Sequence, residues 1–460
     1  MVFPIAGGNE SKGYEISNSL RFNDDDSPNL TVAQSTPTDG SRWTWSGWVK
    51  RGNLSNGSNA ETFASSYNGT NTDRIQFTED DELHVEFKDG NTTKLELHTS
   101  QLFRDVAAWY HIVVAFDSNL SQSNRVKIYI NGTQVTSFST STELTTSGYT
   151  TKGFNANSKN FVHGAYEGSS LLNYYDGYLT EVNFVDGAAK AQTDFGEFDD
   201  NGVWIPKKYT GTYGNNGFFL QFKQTGTSQN SSGIGADTSG NDNHFAVTNL
   251  AATDVTEDTC TNNFATLNSL ATFTSGVLSE GNLKHTGGDG TLSKGFSTQA
   301  VSSGKWYAEV KIVNGSMKSR QGVRRADKMD YNDNEGIVLD YDFIYLMGTE
   351  GGTNEDITDW SGNNNIIGIA LNKDDNEVSF YLNGTQRGNT QSLVNTGEAY
   401  CFFSDDYSDS FNDEGVWEWN FGNPPFSISS GNTDGKYGNF EYAPPSGYYA
   451  LCTKRLAEFG

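Results

Sequence analysis

The chain has 460 residues, and its 57 acidic and 31 basic side chains give a formal charge of −26 at pH 7. This charge opposes close approach to a phosphate backbone, and few cations are available to displace counterions, so we predict no nucleic-acid partner. Hydrophobic residues make up only 35% of the chain, whereas aromatic residues reach 13% and glycines number 50, a mixture typical of short strands separated by many turns.

Residues 1–13 are predicted to form a short N-terminal segment. They contain neither a cationic leader nor an apolar run of signal-peptide length, and 18 apolar residues in succession occur nowhere. Cys260, Cys401 and Cys452 are an odd number of cysteines in a large chain, so no disulfide framework is specified. We therefore expect a soluble protein made in a cytoplasm, without membrane insertion.

Residues 14–187 have the pattern of antiparallel strands. Their apolar residues alternate with polar ones or form short runs bounded by Gly, Asn, Asp and Ser, as in residues 43–49 and 83–87. Because successive side chains of a strand point to opposite faces, Trp43, Trp45 and Phe63 are predicted to enter the core. Thr44, Ser46 and Lys50 are then predicted to face outward.

Between residues 188 and 271 the alternation is lost. Apolar residues occur only as isolated groups at 203–206 and 217–222. A free linker would lack such aromatic side chains, each of which contributes about 1.5–3 kcal/mol when it is buried. We predict an ordered connector that packs on a neighbouring domain.

Strand-like segments return in residues 272–460, for example at 305–312 and 400–403. Residues 315–362 interrupt them with a polar stretch that is rich in Gly, Asp and Asn. We predict that this stretch is a long loop inserted in a second β domain.

Two distant segments have nearly the same sequence. Residues 128–134 read Ile-Tyr-Ile-Asn-Gly-Thr-Gln, and residues 380–386 read Phe-Tyr-Leu-Asn-Gly-Thr-Gln. Each is preceded by an apolar strand-like segment, at 109–117 and 366–374. Asn-Gly tolerates the positive φ of both central positions in a type I′ turn, so each copy predicts a β-hairpin. The repeat indicates two domains of one β architecture.

Several segments also carry a family resemblance. The first half resembles the laminin G-like, concanavalin A-like jelly roll in residues 20–22, 43–49, 109–113, 127–132 and 176–182. The second half resembles a SPRY-type sandwich in residues 304–310, 367–371, 378–384 and 419–422. The resemblance implies an all-β fold of two concanavalin A-like antiparallel β-sandwich (jelly-roll) domains, 14–187 and 272–460, joined by the connector 188–271.

The combination of both sandwiches with residues 258–268 and 444–453 resembles virion proteins of marine bacteriophages, of the tail-fibre-like or host-recognition kind. The resemblance implies a lectin-like protein of the virion surface, incorporated after assembly in the cytoplasm of the bacterial host. Other virion proteins are then the expected partners. Host-surface polysaccharide and further copies of the chain are candidate partners.

No catalytic constellation is found in the sequence. Glycan hydrolases of concanavalin A-like fold need two carboxylates on one strand or on facing strands, and the Glu-x-Asp-x-x-Glu strand pattern is absent. The nearest acidic run, residues 79–82, precedes a strand as a solvated turn would. No His-Glu-x-x-His or Gly-x-Ser-x-Gly motif occurs either. We predict that the protein is not an enzyme.

Calcium is the candidate cofactor, because it needs several oxygen ligands and laminin G-like domains often hold one at the sandwich rim. In the second domain the densest oxygen cluster includes Asp405, Asp406 and Asp409, and in the first it is residues 24–26. Neither cluster has the spacing of an EF-hand. The alternative is that both are solvated loops of an acidic protein.

Glycan recognition needs aromatic faces for the CH groups of a sugar, beside carboxylates or amides that bind its hydroxyls. Tyr166, Tyr174, Tyr175 and Asp176 supply this mixture in predicted loops. They are the candidate glycan-binding residues. The alternative is a structural role for one of the paired tyrosines, Tyr174 or Tyr175, and for Asp176, which stands at the start of a strand.

One basic group interrupts the acidic chain. It comprises Lys318, Arg320, Arg324, Arg325 and Lys328, all within the predicted insertion. The default interpretation is a solvated loop that pairs with nearby acids. The alternative is an assembly interface, for which Arg320, Arg324 and Arg325 are the candidates.

Two functions from different classes stay open. The first is a fibre or appendage protein that binds host-surface glycans. The second is a decoration protein of the capsid or tail that binds only other virion proteins. A third function, glycan depolymerisation, is disfavoured by the missing carboxylate pattern.

Overall fold

The computed structural model describes residues 13–54, 60–168, 170–271, 276–288, 293–315, 319–328, 336–340, 343–347, 355–356, 360, 362–394, 396–406 and 415–460. The chain forms two compact units, an N-terminal unit of residues 11–261 and a C-terminal unit of residues 262–460. Among the described residues, no helix has the length and apolar character needed to cross a membrane.

The N-terminal unit is built from short strands. In chain order they are β1 (Ser19–Phe22), β2 (Asn29–Ala33), β3 (Arg42–Arg51), β4 (Glu61–Asn68), β5 (Asn71–Phe77), β6 (Glu82–Asp89), β7 (Thr92–Leu102), β8 (Tyr110–Asp117), β9 (Val126–Ile130), β10 (Thr133–Gln134), β11 (Phe138–Thr142), β12 (Asn160–His163), β13 (Tyr166–Glu167), β14 (Leu171–Leu172), β15 (Gly177–Asp186), β16 (Gly196–Phe198), β17 (Trp204–Pro206), β18 (Phe218–Leu220), β19 (Ala246–Thr248) and β20 (Val255–Thr256). Single 3₁₀ turns lie at Asp24–Asp26, Gln122–Asn124, Gln192–Asp194 and Ala252–Asp254.

Two antiparallel sheets of this unit enclose its core. The first sheet has the order β10-β9-β8-β3-β15-β1-β20, with β18 also paired to β15, and the second has the order β11-β7-β6-β5-β4-β12-β2-β19. Trp43 and Trp45 of β3 are fully buried between the sheets, with ring centroids 5.7 Å from Phe87 and 5.4 Å from Phe63. The predicted core positions of Trp43, Trp45 and Phe63 are therefore confirmed.

The outward side chains of β3 are not exposed. Thr44, Ser46 and Lys50 are buried, because residues beyond 187 cover the outer face of the first sheet. The Lys50 ammonium pairs there with Asp258, with a distance of 2.8 Å from Nζ to Oδ2. These three side chains do point away from the core, as predicted. They are nevertheless buried and do not contact solvent.

Residues 188–261 of the predicted connector lie within the N-terminal unit. Three of their strands extend its sheets, since β18 pairs with β15, β19 with β2 and β20 with β1. Their aromatic side chains pack with Val113 and Val185 of the first sheet in an apolar cluster that includes Phe195, Tyr209, Tyr213 and Phe219. The isolated apolar groups at 203–206 and 217–222 therefore form the strands β17 and β18, and the segment to which they belong covers the outer face of the first sheet.

The C-terminal unit is also built from strands, followed by one short helix among its described residues. In chain order they are β21 (Val277–Ser279), β22 (Lys284–Thr286), β23 (Ser293–Phe296), β24 (Lys305–Asn314), β25 (Ser319–Arg325), β26 (Gly336–Asp340), β27 (Phe343–Met347), β28 (Glu355–Asp356), β29 (Ile366–Asn372), β30 (Glu377–Leu382), β31 (Thr385–Ser392), β32 (Tyr400–Asp406), β33 (Val416–Asn420), β34 (Tyr449–Ala450) and α1 (Thr453–Phe459). A 3₁₀ turn lies at Ser269–Ala271.

Two sheets form this second sandwich. The third sheet of the chain has the order β21-β22-β33-β24-β29-β30-β31, with β34 parallel to β24, and the fourth has the order β23-β32-β25-β26-β27-β28. Fully buried aromatic residues fill the core, among them Trp306, Trp417, Trp419 and Phe402. The predicted fold class, an all-β chain with two antiparallel β-sandwiches, is confirmed.

The prediction of a long loop at 315–362 is wrong. The segment contributes β25 to β28 to the fourth sheet, where β25 lies between β32 and β26. Val323, Ile337, Leu339 and Ile344 enter the core from these strands. β25 and β28 are mostly polar or charged, whereas β26 (Gly-Ile-Val-Leu-Asp) and β27 (Phe-Ile-Tyr-Leu-Met) are short apolar runs that the prediction overlooked.

Both Asn-Gly hairpins are confirmed. Asn131 and Gly132 have φ values of 46° and 79°, and Asn383 and Gly384 have values of 48° and 78°, as a type I′ turn requires. The side-chain Oδ1 of Asn131 accepts a hydrogen bond from the His111 amide at 2.7 Å, and that of Asn383 accepts one from the Ile366 amide at 2.9 Å. The repeated sequence therefore has the same local geometry in both units.

Candidate functional site

The outer face of the second sheet carries a group of polar side chains that we call the polar face. On β6, Leu83, Val85 and Phe87 enter the core, so the alternating His84 and Glu86 point outward. Strand register aligns the outward residues of β5, β6 and β7 in two neighbouring rows. The first row is Gln76, His84 and His98, and the second is Arg74, Glu86 and Glu96.

Ion pairs and an aromatic ring organise one part of the polar face. Glu86 lies between two cations, with distances of 2.7 Å to Arg74 Nε and 2.7 Å to Lys88 Nζ. The Arg74 guanidinium is 5.3 Å from the ring centroid of Tyr166, and the Tyr166 hydroxyl is 3.3 Å from Thr72 Oγ1. The partly exposed Tyr166 ring is thus held beside Arg74, which is one of the two cations paired with Glu86.

Two stacked histidines form the other part of the polar face. The rings of His84 and His98 have centroids 4.0 Å apart. Burial lowers the pKa of His84 to about 2, and the nearby positive charges of Arg74, His98 and Lys88 act in the same direction. His84 is therefore neutral at physiological pH.

The structure separates the four predicted glycan-binding residues into two groups. Tyr166 and Tyr174 are partly exposed. Tyr175 is fully buried against Phe22 and Phe63, its hydroxyl donates to the Lys50 carbonyl at 2.6 Å, and burial raises the pKa of that hydroxyl well above its usual value.

Asp176 is also buried, and it accepts a hydrogen bond from Asn53 Nδ2 at 2.9 Å. For Tyr175 and Asp176 the glycan-binding prediction is therefore corrected to a structural role, because a ligand cannot reach side chains that the domain encloses.

Asp405 and Asp406, predicted for calcium in the second domain, do not lie in an exposed loop, whereas Asp24–Asp26 of the first domain form an exposed 3₁₀ turn. Asp405 and Asp406 are buried at the end of β32, and Asp409 lies outside the described residues. Arg320 binds both carboxylate oxygens of Asp405, with distances of 2.8 and 2.5 Å. Asp406 accepts a hydrogen bond from the Gly415 amide at 2.9 Å. Calcium binding stays a prediction, but Asp405 already has a cationic partner.

The candidate interface arginines are used inside the C-terminal unit. Arg320 pairs with Asp405, and Arg324 is fully buried with its guanidinium 5.3 Å from the ring centroid of Phe403. Arg325 makes two hydrogen bonds to Asp327, at 2.9 and 2.7 Å. The interface prediction is corrected for Arg324. Its side chain is not accessible, because β25 is a central strand of the fourth sheet.

The sequence reasoning missed the polar face. Its signal was present in the alternation, because Glu82, His84 and Glu86 occupy every second position of a strand whose other positions are apolar. The Glu-x-Asp-x-x-Glu pattern covers a single strand, so it does not detect carboxylates on facing strands. The structure instead brings Glu86 and Glu96 opposite each other from neighbouring strands.

The polar face lies within the part of the chain that is similar to a known family model. Residues 24–193 match the model of a family described as the concanavalin A-like lectin/glucanases superfamily. The matched range includes β5, β6, β7 and Tyr166. No curated protein matches the chain.

Solved structures with related sandwiches come from several organisms. Mouse laminin alpha1 domains LG4-5 are 7% identical, with 95% of this chain and 99% of that chain covered and a TM-score of 0.31. A SAP-like pentraxin from Limulus polyphemus is 15% identical, with coverage of 39% and 80% and a TM-score of 0.28. The SPRY domain of human HERC1 is 18% identical, with coverage of 30% and 87% and a TM-score of 0.25.

Proposed function

We propose that this protein is a non-enzymatic component of a bacteriophage virion surface, a fibre or appendage protein that binds host-surface glycans. The observation that carries the binding function is the polar face, where the Tyr166 ring lies beside Arg74, and Arg74 shares the carboxylate of Glu86 with Lys88. The match to a superfamily described by lectins and glucanases supports a carbohydrate as the ligand. The sequence resemblance to phage virion proteins supports the assignment to a virion.

The chemistry of this group suits a sugar. An aromatic ring packs against the CH groups of a pyranose, while arginine and lysine donate hydrogen bonds to hydroxyls or to the carboxylates of acidic sugars. Arg74 and Lys88 keep 19% and 32% of their side-chain surface exposed. Because Glu86 already fixes both cations, binding would cost little side-chain ordering.

The environment of Glu86 favours binding over hydrolysis. A retaining or inverting glycosidase needs one carboxyl group that stays protonated until it donates to the leaving oxygen. Both carboxylate oxygens of Glu86 are engaged by cations, since Oε2 lies 2.7 Å from Arg74 Nε and Oε1 lies 2.7 Å from Lys88 Nζ. Glu86 and Glu96 face each other as paired acids, but Glu86 is held as an ion-pair partner and not as a general acid.

The proposal is tested with the purified full chain and a panel of bacterial surface polysaccharides, measuring both adsorption and the release of reducing ends. We expect adsorption without release. Tyr166→Ala and Arg74→Gln should each weaken adsorption at least tenfold. Arg42→Gln is the matched control, because Arg42 is a partly exposed, ion-paired arginine on a strand of the first sheet.

The other outcomes separate the remaining functions. Absence of adsorption across the panel would favour the decoration protein, which binds only other virion proteins. Release of reducing ends would show that the protein is an enzyme. Equal binding by Arg74→Gln and Arg42→Gln would move the glycan site away from the polar face.

A further inference from the structure

We propose that His84, His98 and Glu96 form a binding site for a divalent transition-metal ion, with zinc as the expected occupant. One potential ligand atom from each residue lies within 4.8 Å of the other two. His84 and His98 are directly paired across β6 and β7, and Glu96 precedes His98 by two positions, on the same face of the strand. Strand register, and not a linear motif, brings the three residues together.

The ring nitrogens point to a missing partner. His84 is only 2% exposed, yet its Nε2 has no hydrogen-bond partner among the described residues. The same holds for Nε2 of His98, which is 3.6 Å from Glu96 Oε1. Both ring nitrogens of buried His111 and of buried His285 have partners. Nε2 of buried His163 also has none, but among the described residues His163 is not grouped with other potential metal ligands. A buried polar atom without a partner is costly, and a metal ion between the Nε2 atoms of His84 and His98 would satisfy both.

A second layer of hydrogen bonds orients the rings. Nδ1 of His98 lies 3.1 Å from Glu82 Oε2, so it donates its proton there and leaves the Nε2 lone pair for a metal. Nδ1 of His84 accepts a hydrogen bond from Gln76 Nε2 at 3.2 Å, and Gln76 Oε1 accepts one from the Thr62 hydroxyl at 3.0 Å, so metal binding requires the Gln76 amide to turn over. When the Gln76 amide is turned over, its oxygen accepts the proton of His84 Nδ1 and its nitrogen donates to the Thr62 hydroxyl. This arrangement leaves Nε2 of His84 free to bind a metal.

The donor set selects the class of metal. Two imidazoles and one carboxylate suit zinc, whereas calcium takes oxygen ligands only. Ligand atoms around a tetrahedral zinc ion are about 3.4 Å apart, given bonds of about 2.0–2.2 Å. Glu96 and His98 keep 33% and 20% of their side-chain surface exposed. Their side chains therefore have room to move the ligand atoms closer together around the metal ion. Three protein ligands would leave the fourth position open to solvent.

The proposal does not depend on glycan binding, and its test uses the metal alone. The purified, metal-stripped full chain is titrated with Zn²⁺ by calorimetry, and with Co²⁺ by its visible absorption. We expect one ion per chain and a Co²⁺ spectrum of tetrahedral type. His98→Gln and Glu96→Gln should each weaken Zn²⁺ binding at least tenfold, and Glu82→Gln, which changes a positioning residue, by about tenfold.

The control is His244→Gln. His244 is partly exposed and lies 3.6 Å from a carboxylate, but it is not part of the cluster. It should bind Zn²⁺ like the wild type. Circular dichroism shows whether each variant is folded, and the partly exposed Glu96 keeps the test valid if a histidine variant unfolds. Absence of stoichiometric Zn²⁺ binding, or equal affinity of Glu96→Gln and His244→Gln, would overturn the proposal.

Discussion

The two sheets of the N-terminal unit differ in what covers their outer faces. On the first sheet, Trp204 of the following segment packs over His111, with ring centroids 5.9 Å apart. On the second sheet, the outward residues are polar, and Arg74 and Lys88 stay partly exposed. The same alternation of strand residues therefore produces a sealed face and an accessible one. What decides the function of an outward side chain is the segment that lies over it.

Two histidines show this contrast in detail. His111 has a partner for each ring nitrogen, since Nε2 is 2.9 Å from Ser46 Oγ and Trp204 Nε1 donates to Nδ1 at 3.0 Å. His84 lacks a partner at Nε2 within the described part of the chain. We interpret His111 as part of a structural seal and His84 as part of a binding surface. Four predictions test this contrast, from the largest expected effect to the smallest.

Loss of the seal should have the largest effect. Trp204→Ala removes a ring that is 8% exposed and leaves Nδ1 of His111 without its donor, so we expect a loss of about 3–5 kcal/mol in the free energy of unfolding. Denaturant titration followed by circular dichroism measures it. Val203→Ala is the control, because Val203 is 56% exposed and its removal should cost about 0.5 kcal/mol or less. Similar losses for the two variants would contradict a sealing role for Trp204.

The turn beneath the seal gives the next largest effect. A Cβ atom at Gly132 would lie 2.3 Å from the Trp204 ring, and the residue has a φ of +79°. Gly132→Ala should therefore cost about 2–3 kcal/mol, from overpacking and from backbone strain.

Gly202 offers a matched control for that substitution. Its φ is +78°, and no atom of the described residues lies within 4 Å of an added Cβ. Gly202→Ala should cost about 1 kcal/mol, from the backbone alone. If the two glycine variants were equally stable, the contact with Trp204 would not contribute.

The sealed histidine should also make stability depend on pH. Burial lowers the pKa of His111 to about 3, whereas an unfolded histidine has a pKa of about 6.5. The unfolded chain then binds more protons between these values, so this stability is complete above pH 6.5 and is lost as pH falls toward 3. From pH 7 to 5 the loss should be about 2 kcal/mol.

The measurement compares unfolding free energies of the wild type and His111→Gln at both pH values. Buried Glu61 and Glu181 act in the opposite sense, because burial raises the pKa of each to about 7 and the folded chain then binds more protons. Their effect is common to both proteins, so the difference isolates His111. The wild type should lose about 2 kcal/mol more than the variant on acidification. An equal loss would mean that His111 is protonated in the folded protein.

The sequence was a good guide wherever local chemistry decides the outcome. Trp43 and Trp45 could be placed in the core by alternation alone, and the Asn131-Gly132 turn by the positive φ that it requires. The fold class followed from many such local signals. The outer face of β3 could be identified from the alternation of its residues. Its burial could not, because the residues that cover it lie beyond residue 187 and leave no signal in the strand itself.

The site depended on contacts between distant residues, and the sequence could not supply those. Tyr174 and Tyr175 are neighbours with equal chemistry, yet one is partly exposed and the other lies in the core. Arg324 was attributed to a loop, but its strand pairs with β26 and β32. His84 and His98 lie on the consecutive strands β6 and β7, and the register of these strands brings them opposite each other.

The smallest effect is expected on the accessible face. Lys88→Ala removes one of two cations beside Glu86, and Arg74 remains at 2.7 Å, so the cost in unfolding free energy should be about 1 kcal/mol or less. The same variant should weaken polysaccharide adsorption clearly, because Lys88 belongs to the proposed glycan site. Denaturant titration and adsorption, measured on one preparation, separate the two effects. A large loss of stability with unchanged adsorption would mean that the polar face is structural, like the sealed one.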